Sequence, residues 1–190
     1  MNQIIVENKT FEKKDFRKHP PAKGEYELCK FINCDFSESD LSEIKFIDCE
    51  FINCNLSLAK FANTSLRDVK FKDCKLLGLH FENCAEFGLS FSFENCTLDH
   101  SSFYKRKIQK TNFINCRLHE TDFTECDLSG SVLDNCDLAR AVFINAVLEK
   151  ADFRTSYNFT IDPDINKIKK TKFSKDGLAG LLTKYDIKIE

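Results

Sequence analysis

Along most of this chain a large apolar residue returns at every fifth position. From Tyr26 the series runs through Phe31, Phe36, Leu41, Phe46, Phe51, Leu56, Phe61, Leu66, Phe71, Leu76 and Phe81. It restarts two residues out of step at Phe93 and continues through Leu98, Phe103, Ile108, Phe113, Leu118, Phe123, Leu128, Leu133, Leu138, Phe143, Leu148 and Phe153. Of these 25 centres, 23 are Phe or Leu. Two residues before nearly every centre stands a small side chain, and all ten cysteines of the chain fall at this position, Cys84 lying two before the out-of-place Glu86. The remaining three positions of each unit are mostly polar or charged.

A helix repeats in threes and fours and a strand alternates in twos. A unit of five with two inward positions is therefore a short extended piece plus a corner. Four such sides would close a square coil of about 20 residues, and stacking at roughly 4.8 Å would turn residues 26–153 into about six coils, a rod roughly 30 Å long. The predicted fold is an all-β solenoid, with caps needed at its two ends.

Outside and within this body the pattern breaks at three places. Residues 1–25 are expected to form an N-terminal cap and loop: Phe11 and Phe16 sit in frame, but Pro21 occupies the next centre, and "QIIVEN" suits an edge-capping strand. Within the repeat region, 26–153, a bulge is expected near 85–92, with Gly88 at its turn, because the frame gains two residues and Glu86 at the old centre cannot be buried unpaired. It reads either as a recognition bump around Phe87 or as a phase correction that buries Phe87 or Phe91. Around 103–113 the coil is expected to loosen, since Arg106 stands at a small inward position; Lys105, Arg106, Lys107 and Lys110 read as a contact loop or as an irregular coil with solvated charges. Residues 154–190 are expected to form a C-terminal cap and dimerisation segment. There Leu178, Leu181, Leu182 and Tyr185 follow helical spacing, and Ile187 and Ile189 alternate like a strand. The short helix either caps the last coil or pairs with the same element of a second chain.

Composition sharpens this picture. Nineteen Phe with no Trp point to one recurring packing site. No CxxC pair exists, so zinc spacing is absent and the cysteines read as buried small hydrophobes. Cys34, Cys54 and Cys74 would stack, as would Cys96, Cys116 and Cys136. The repeated Asn of "NC" pairs would form ladders along the stack. No Walker loop, GxGxxG, HExxH or GxSxG occurs and the four histidines are isolated, so no enzyme activity, cofactor or metal is expected. No stretch is long and apolar enough for export or membrane spanning, which predicts a cytoplasmic protein with no membrane partner. Net charge is -2, but residues 26–153 sum to -7. Glu120, Asp122, Glu125, Asp127, Asp134 and Asp137 are the candidate acidic contact face, suited to a basic groove; the other reading is a charged exterior kept for solubility.

The units "CDFSE", "SDLSE", "CEFIN", "CNLSL" and "CDLAR" resemble the pentapeptide-repeat family, over about 128 of 190 residues. The resemblance implies a right-handed quadrilateral parallel β-helix. More narrowly, "FENCAEFGLSF", "FYKRKIQKTNF" and "IDPDINKIKKTKF…LLTKYDIKI" are similar to the Qnr group of quinolone-resistance proteins, although "FINCNLSLAKF" runs unbroken where that group has its first loop. This implies a rod-shaped homodimer, joined through Leu178, Leu181, Leu182, Tyr185, Ile187 and Ile189, that mimics DNA and binds DNA gyrase or topoisomerase IV without binding nucleic acid itself. The alternative is a dimeric scaffold for another protein.

Overall fold

In the computed structural model, which describes residues 4–188, the chain winds into a right-handed quadrilateral parallel β-helix closed by one short C-terminal helix. Outside one longer coil, paired residues lie 20 positions apart: Phe31 with Phe51, Phe51 with Phe71, Phe113 with Leu133. Two faces carry regular strands. The first holds Ile4–Glu7, Gly24–Glu27, Lys45–Ile47 and Ser65–Arg67; the second holds seven, from Thr10–Glu12 to Val132–Asp134. The third and fourth faces are joined by single bridges, such as Asp35 to Asn55 and Asp122 to Val142.

The inward positions explain the repeat. Centres stack on centres: along the second face the rings of Phe11, Phe31, Phe51, Phe71, Phe93 and Phe113 lie nearly parallel, with centroids 4.8–5.3 Å apart. The preceding small residue does more than leave room. Its Sγ or Oγ donates a hydrogen bond to the main-chain carbonyl of a centre in the previous coil. Cys54 donates to Phe31 at 3.2 Å, Thr121 to Leu98 at 3.1 Å and Ser156 to Leu133 at 2.6 Å. Cys, Ser and Thr combine small size with a donor, while Ala59, Ala141, Ala146 and Ala151 meet the size requirement alone. The six cysteines from Cys34 to Cys136 on the third face form one column. All ten thiols of the chain are buried and free, and burial pushes Cys49 and Cys84 up to about 12, keeping their protons.

Corners follow from backbone sterics. The residue two after a centre takes positive φ, as at Asn33 (55°), Asn53 (51°) and Asn115 (53°). Asn and Asp tolerate this region best among residues with side chains. At one corner they also form a ladder: Asn53 donates to Asn33 at 2.7 Å, Asn95 to Asp73 at 2.9 Å and Asn135 to Asn115 at 2.9 Å.

The winding extends past residues 26–153 at both ends. Ile4–Glu7 pairs with Gly24–Glu27 and Phe11 stacks on Phe31, so a first coil precedes the loop at 17–23. After Phe153, Tyr157, Lys167 and Lys172 still bridge to the preceding coil. The helix Ala179–Leu182, flanked by tight turns, then closes the end. Phe159 lies against it so closely that a Cβ on Gly180 would sit 2.3 Å from the Phe159 carbonyl oxygen. No helix among the described residues is long and apolar enough to cross a membrane.

Candidate interaction surface

The two-residue insertion sits on the first face. Ala85 still bonds to Thr64 in the regular register, whereas Phe91 pairs with Val69, 22 residues back. Between them Glu86–Leu89 forms a turn, with the Leu89 N–H donating to the Glu86 carbonyl and Gly88 at φ +71°. Glycine is favoured at that third turn position because of its positive φ. The strands of the first face stop at Ser65–Arg67 because the next coil is occupied by this turn. Phe91 is buried at 6% exposure and packs on Phe81, Phe93 and Phe103, standing in for the missing centre. Phe87 is 80% exposed, its ring held over the guanidinium of Arg67 at 5.2 Å. Arg67 stands 20 residues before Phe87, so the coil period contained this contact, though the sequence reading passed over it.

The coil at 103–113 is regular instead of loosened. Lys105, Ile108 and Lys110 donate their N–H groups to the next coil at 2.9–3.0 Å, and Ile108 is buried. Arg106 fits because its guanidinium turns back to the carbonyl of Glu82, leaving it half-buried. The surrounding lysines diverge: Lys105 reaches Glu125 at 3.7 Å and lies over Tyr104, while Lys107 and Lys110 stand on the first face and its far corner.

The six acidic candidates do not share a face. Glu120 and Glu125 occupy corners; Asp122, Asp127, Asp134 and Asp137 lie on the fourth, first, second and third faces, spread around less than one coil. Most have local work. Asp122, Asp127 and Asp137, each just before a centre, accept the main-chain N–H two residues on, from Thr124, Ser129 and Ala139, at 2.8–3.2 Å. Such turns are what Asp and Asn side chains favour. Although burial acts to raise it, Asp137 is held below the usual carboxylate range by the His119 imidazole 2.8 Å away and by a hydrogen bond from Asn158. Glu120 pairs with Arg140 at 2.5 Å and Asp134 accepts from Thr155 at 2.7 Å. For Asp122 and Asp127 the spacing Asp-x-Ser/Thr was the sequence signal for the turn role.

Asp152 shows the same turn with a stronger anchor. Hydrogen bonds from the Arg154 side chain, against an opposing effect of burial and with help from the Arg154 N–H, lower it to about 2. A carboxylate depressed on folding stabilises above its unfolded value of about 3.9 and loses that contribution as pH falls toward 2. Asp152→Asn is expected to lower stability by on the order of 1 kcal/mol or less at neutral pH, with the difference from the unaltered protein vanishing near pH 2. Urea midpoints across this range check it; a difference independent of pH would refute the assignment.

At the C-terminus Leu181 packs toward the core and the Ile161 N–H donates to Gly180 at 3.0 Å, so the segment does cap the last coil. Leu182 is half-buried; Leu178, Tyr185 and Ile187 are exposed. Ile187 follows the turn outside any strand, and Ile189 lies outside the described residues.

Residues 25–92 and 89–157 match the model of the pentapeptide repeat region. No curated protein matches the chain. Among solved structures it is similar to two trypsin-treated variants of QnrB1, a plasmid-mediated fluoroquinolone resistance protein. One is 19% identical with a TM-score of 0.63, over 98% of this chain and 100% of the other. The second is 20% identical with a TM-score of 0.63, over 99% and 98%. Full-length QnrB1 gives 19% identity and a TM-score of 0.57 over 98% and 100%.

Proposed function

Because the chain belongs to the pentapeptide-repeat family, we propose that it works by binding through a rigid patterned exterior, without catalysis, and that its partner is a type II topoisomerase, DNA gyrase or topoisomerase IV. In this reading it is a Qnr-like DNA mimic: the rod occupies the basic groove that DNA would enter and keeps quinolones from acting there. The carrying observation is the end-to-end likeness in fold to QnrB1. Opposite charge across the groove would supply encounter rate and specificity. The exposed Leu178, Tyr185 and Ile187 at the closed end support homodimer formation there, and a cytoplasmic location fits such a partner.

A second reading, a dimeric scaffold for another protein, is favoured by the scatter of the acidic residues around the coil and by their turn bonds. One experiment separates the two: DNA supercoiling by purified gyrase, with and without ciprofloxacin, in the presence of this protein or of the variant Asp122→Asn, Asp127→Asn, Asp137→Asn. Asn55 accepts the N–H of Ser57 at 3.2 Å in the equivalent position, so asparagine preserves the turn while removing the charge. Protection or inhibition by the native chain that falls on the order of tenfold in the variant supports mimicry. No effect of the native chain at micromolar concentration leaves the scaffold.

A further inference from the structure

One long edge of the rod, where the first face meets the second, carries opposite charges in its two halves. Above Ser90 it presents Glu7, Glu27, Asp48 and Asp68; below Ser90 it presents Lys110, Lys150, Lys169 and Lys170. Register hydrogen bonds stack these residues from coil to coil, for example Asp48 N–H to the Arg67 carbonyl and Lys150 N–H to the Lys169 carbonyl. None of the eight takes part in an intramolecular ion pair among the described residues, whereas neighbouring charges such as Lys30, Lys70 and Glu50 pair with one another.

The two halves are mirror-matched about Ser90. Asp68 and Lys110 stand one coil to either side of it, Glu27 and Lys150 three coils, and Glu7 and Lys169 four. We propose that this edge binds a second copy of the chain, antiparallel, about a two-fold axis at Ser90. Such a contact is self-complementary, each residue meeting its counterpart twice. Asp68 then faces Lys110 of the second copy, Glu27 faces Lys150, and Glu7 faces Lys169 and Lys170. Three charges depart from the pattern: Asp48, whose mirror position is Gly130; Glu149, beside Lys150; and Arg67, which is engaged by Phe87.

The bulge falls where this arrangement needs it. An axis perpendicular to both rods leaves the first face of each copy on the same side. The Glu86–Leu89 turn lies in the coil of Ser90, so the two exposed Phe87 rings converge across the axis and give the contact an apolar centre. A shallow depression lined by Asp68, Ser90 and Lys110 marks the same level. From Glu7 to Lys169 the edge spans eight coil steps, about 38 Å. A contact that long and only one edge wide falls in the small, transient class of interfaces, held mainly by charge and therefore sensitive to salt. It shares no residue with the C-terminal surface and stands apart from the topoisomerase reading.

Sedimentation velocity of the full chain tests it. Association at low salt is expected to weaken on the order of tenfold or more between about 0.05 and 0.5 M salt. Asp68→Lys and Lys110→Asp, both at exposed positions outside the core, each set like charges face to face and should abolish association. The double variant restores opposite charges across the axis and should recover it, which a role within one chain would not produce. Ser90 is half-buried, so Ser90→Cys should add one partly exposed thiol to a chain whose ten cysteines are buried, and a short bis-maleimide should then join two copies. A chain that stays monomeric at low salt, or a dimer that survives either single swap or resists cross-linking at Ser90→Cys, would overturn the proposal.

Discussion

Phe103→Ala is expected to remove about 3–5 kcal/mol of stability. Phe103 is fully buried, its ring stacked 4.5 Å from Phe81 and 5.3 Å from Phe123, with Phe113 edge-on at 6.0 Å. The surrounding walls cannot close over the void. Each coil is tied to the next by main-chain hydrogen bonds such as Phe103 to Asp122 and Phe81 to Ser102, which hold the coils at a fixed spacing. The loss is comparable to a large part of a domain's whole stability, about 5–15 kcal/mol. Denaturant titration with a fixed slope measures it. A loss below about 1.5 kcal/mol would mean that the rod collapses along its axis, against the rigidity inferred from its register.

The second large effect concerns charge in the cysteine column. Cys74 is 2% exposed, with Cys54 and Cys96 in the coils on either side, and its Sγ lies 3.3 Å from the Phe51 carbonyl oxygen, to which it donates. Cys74→Asp would put a carboxylate where the neighbours offer carbonyls, thiols and a single donor, the Cys54 N–H at 3.4 Å. The expected cost is several kcal/mol, enough to prevent folding or to shift the carboxyl far upward. Cys74→Ser should change stability by about 1 kcal/mol or less, because Ser156 at the foot of the same column already donates its hydroxyl to the Leu133 carbonyl. Thermal melts of the two variants compare them directly. Equal melting temperatures would show that the column tolerates charge and would refute its role as a line of buried donors.

The body of the fold could be read from the chain because its inward positions admit so few residue types. A large apolar side chain at every centre and a small residue before it leave a period of five that no surface substitution erases, and the shift at Phe93 located the bulge to within a few residues. Arg106 misled the reading. An arginine at an inward position suggested a broken coil, but its long stem lets one terminal guanidinium nitrogen reach the Glu82 carbonyl. The acidic residues misled it differently. Composition counted Glu120 to Asp137 as one patch, yet four faces within 20 residues send neighbours in sequence to opposite sides of the rod. Residues spaced by 20, such as Arg67 and Phe87, are the true surface neighbours. Contacts of that kind are legible only after the coil length is known, and the 22-residue coil changes it once.

The left-handed corners also limit what the outside of such a rod can be made of. Among the described residues those with positive φ are Asn, Asp, Glu, Lys, Arg, His, Leu and Gly, and none is β-branched. Valine, isoleucine and threonine are too crowded at Cβ for that conformation, whereas the flat faces carry them freely, as at Ile32, Ile52, Val132 and Val142. The rod thus divides its vocabulary by geometry. Its ridges, the first part a partner touches, are written almost wholly in amides and charges, while the sides between them hold the apolar letters. Two proteins of this fold can then share every buried residue and still differ along four short strings of corner residues, and relatives with a common partner are better sought by aligning those strings than by aligning whole chains.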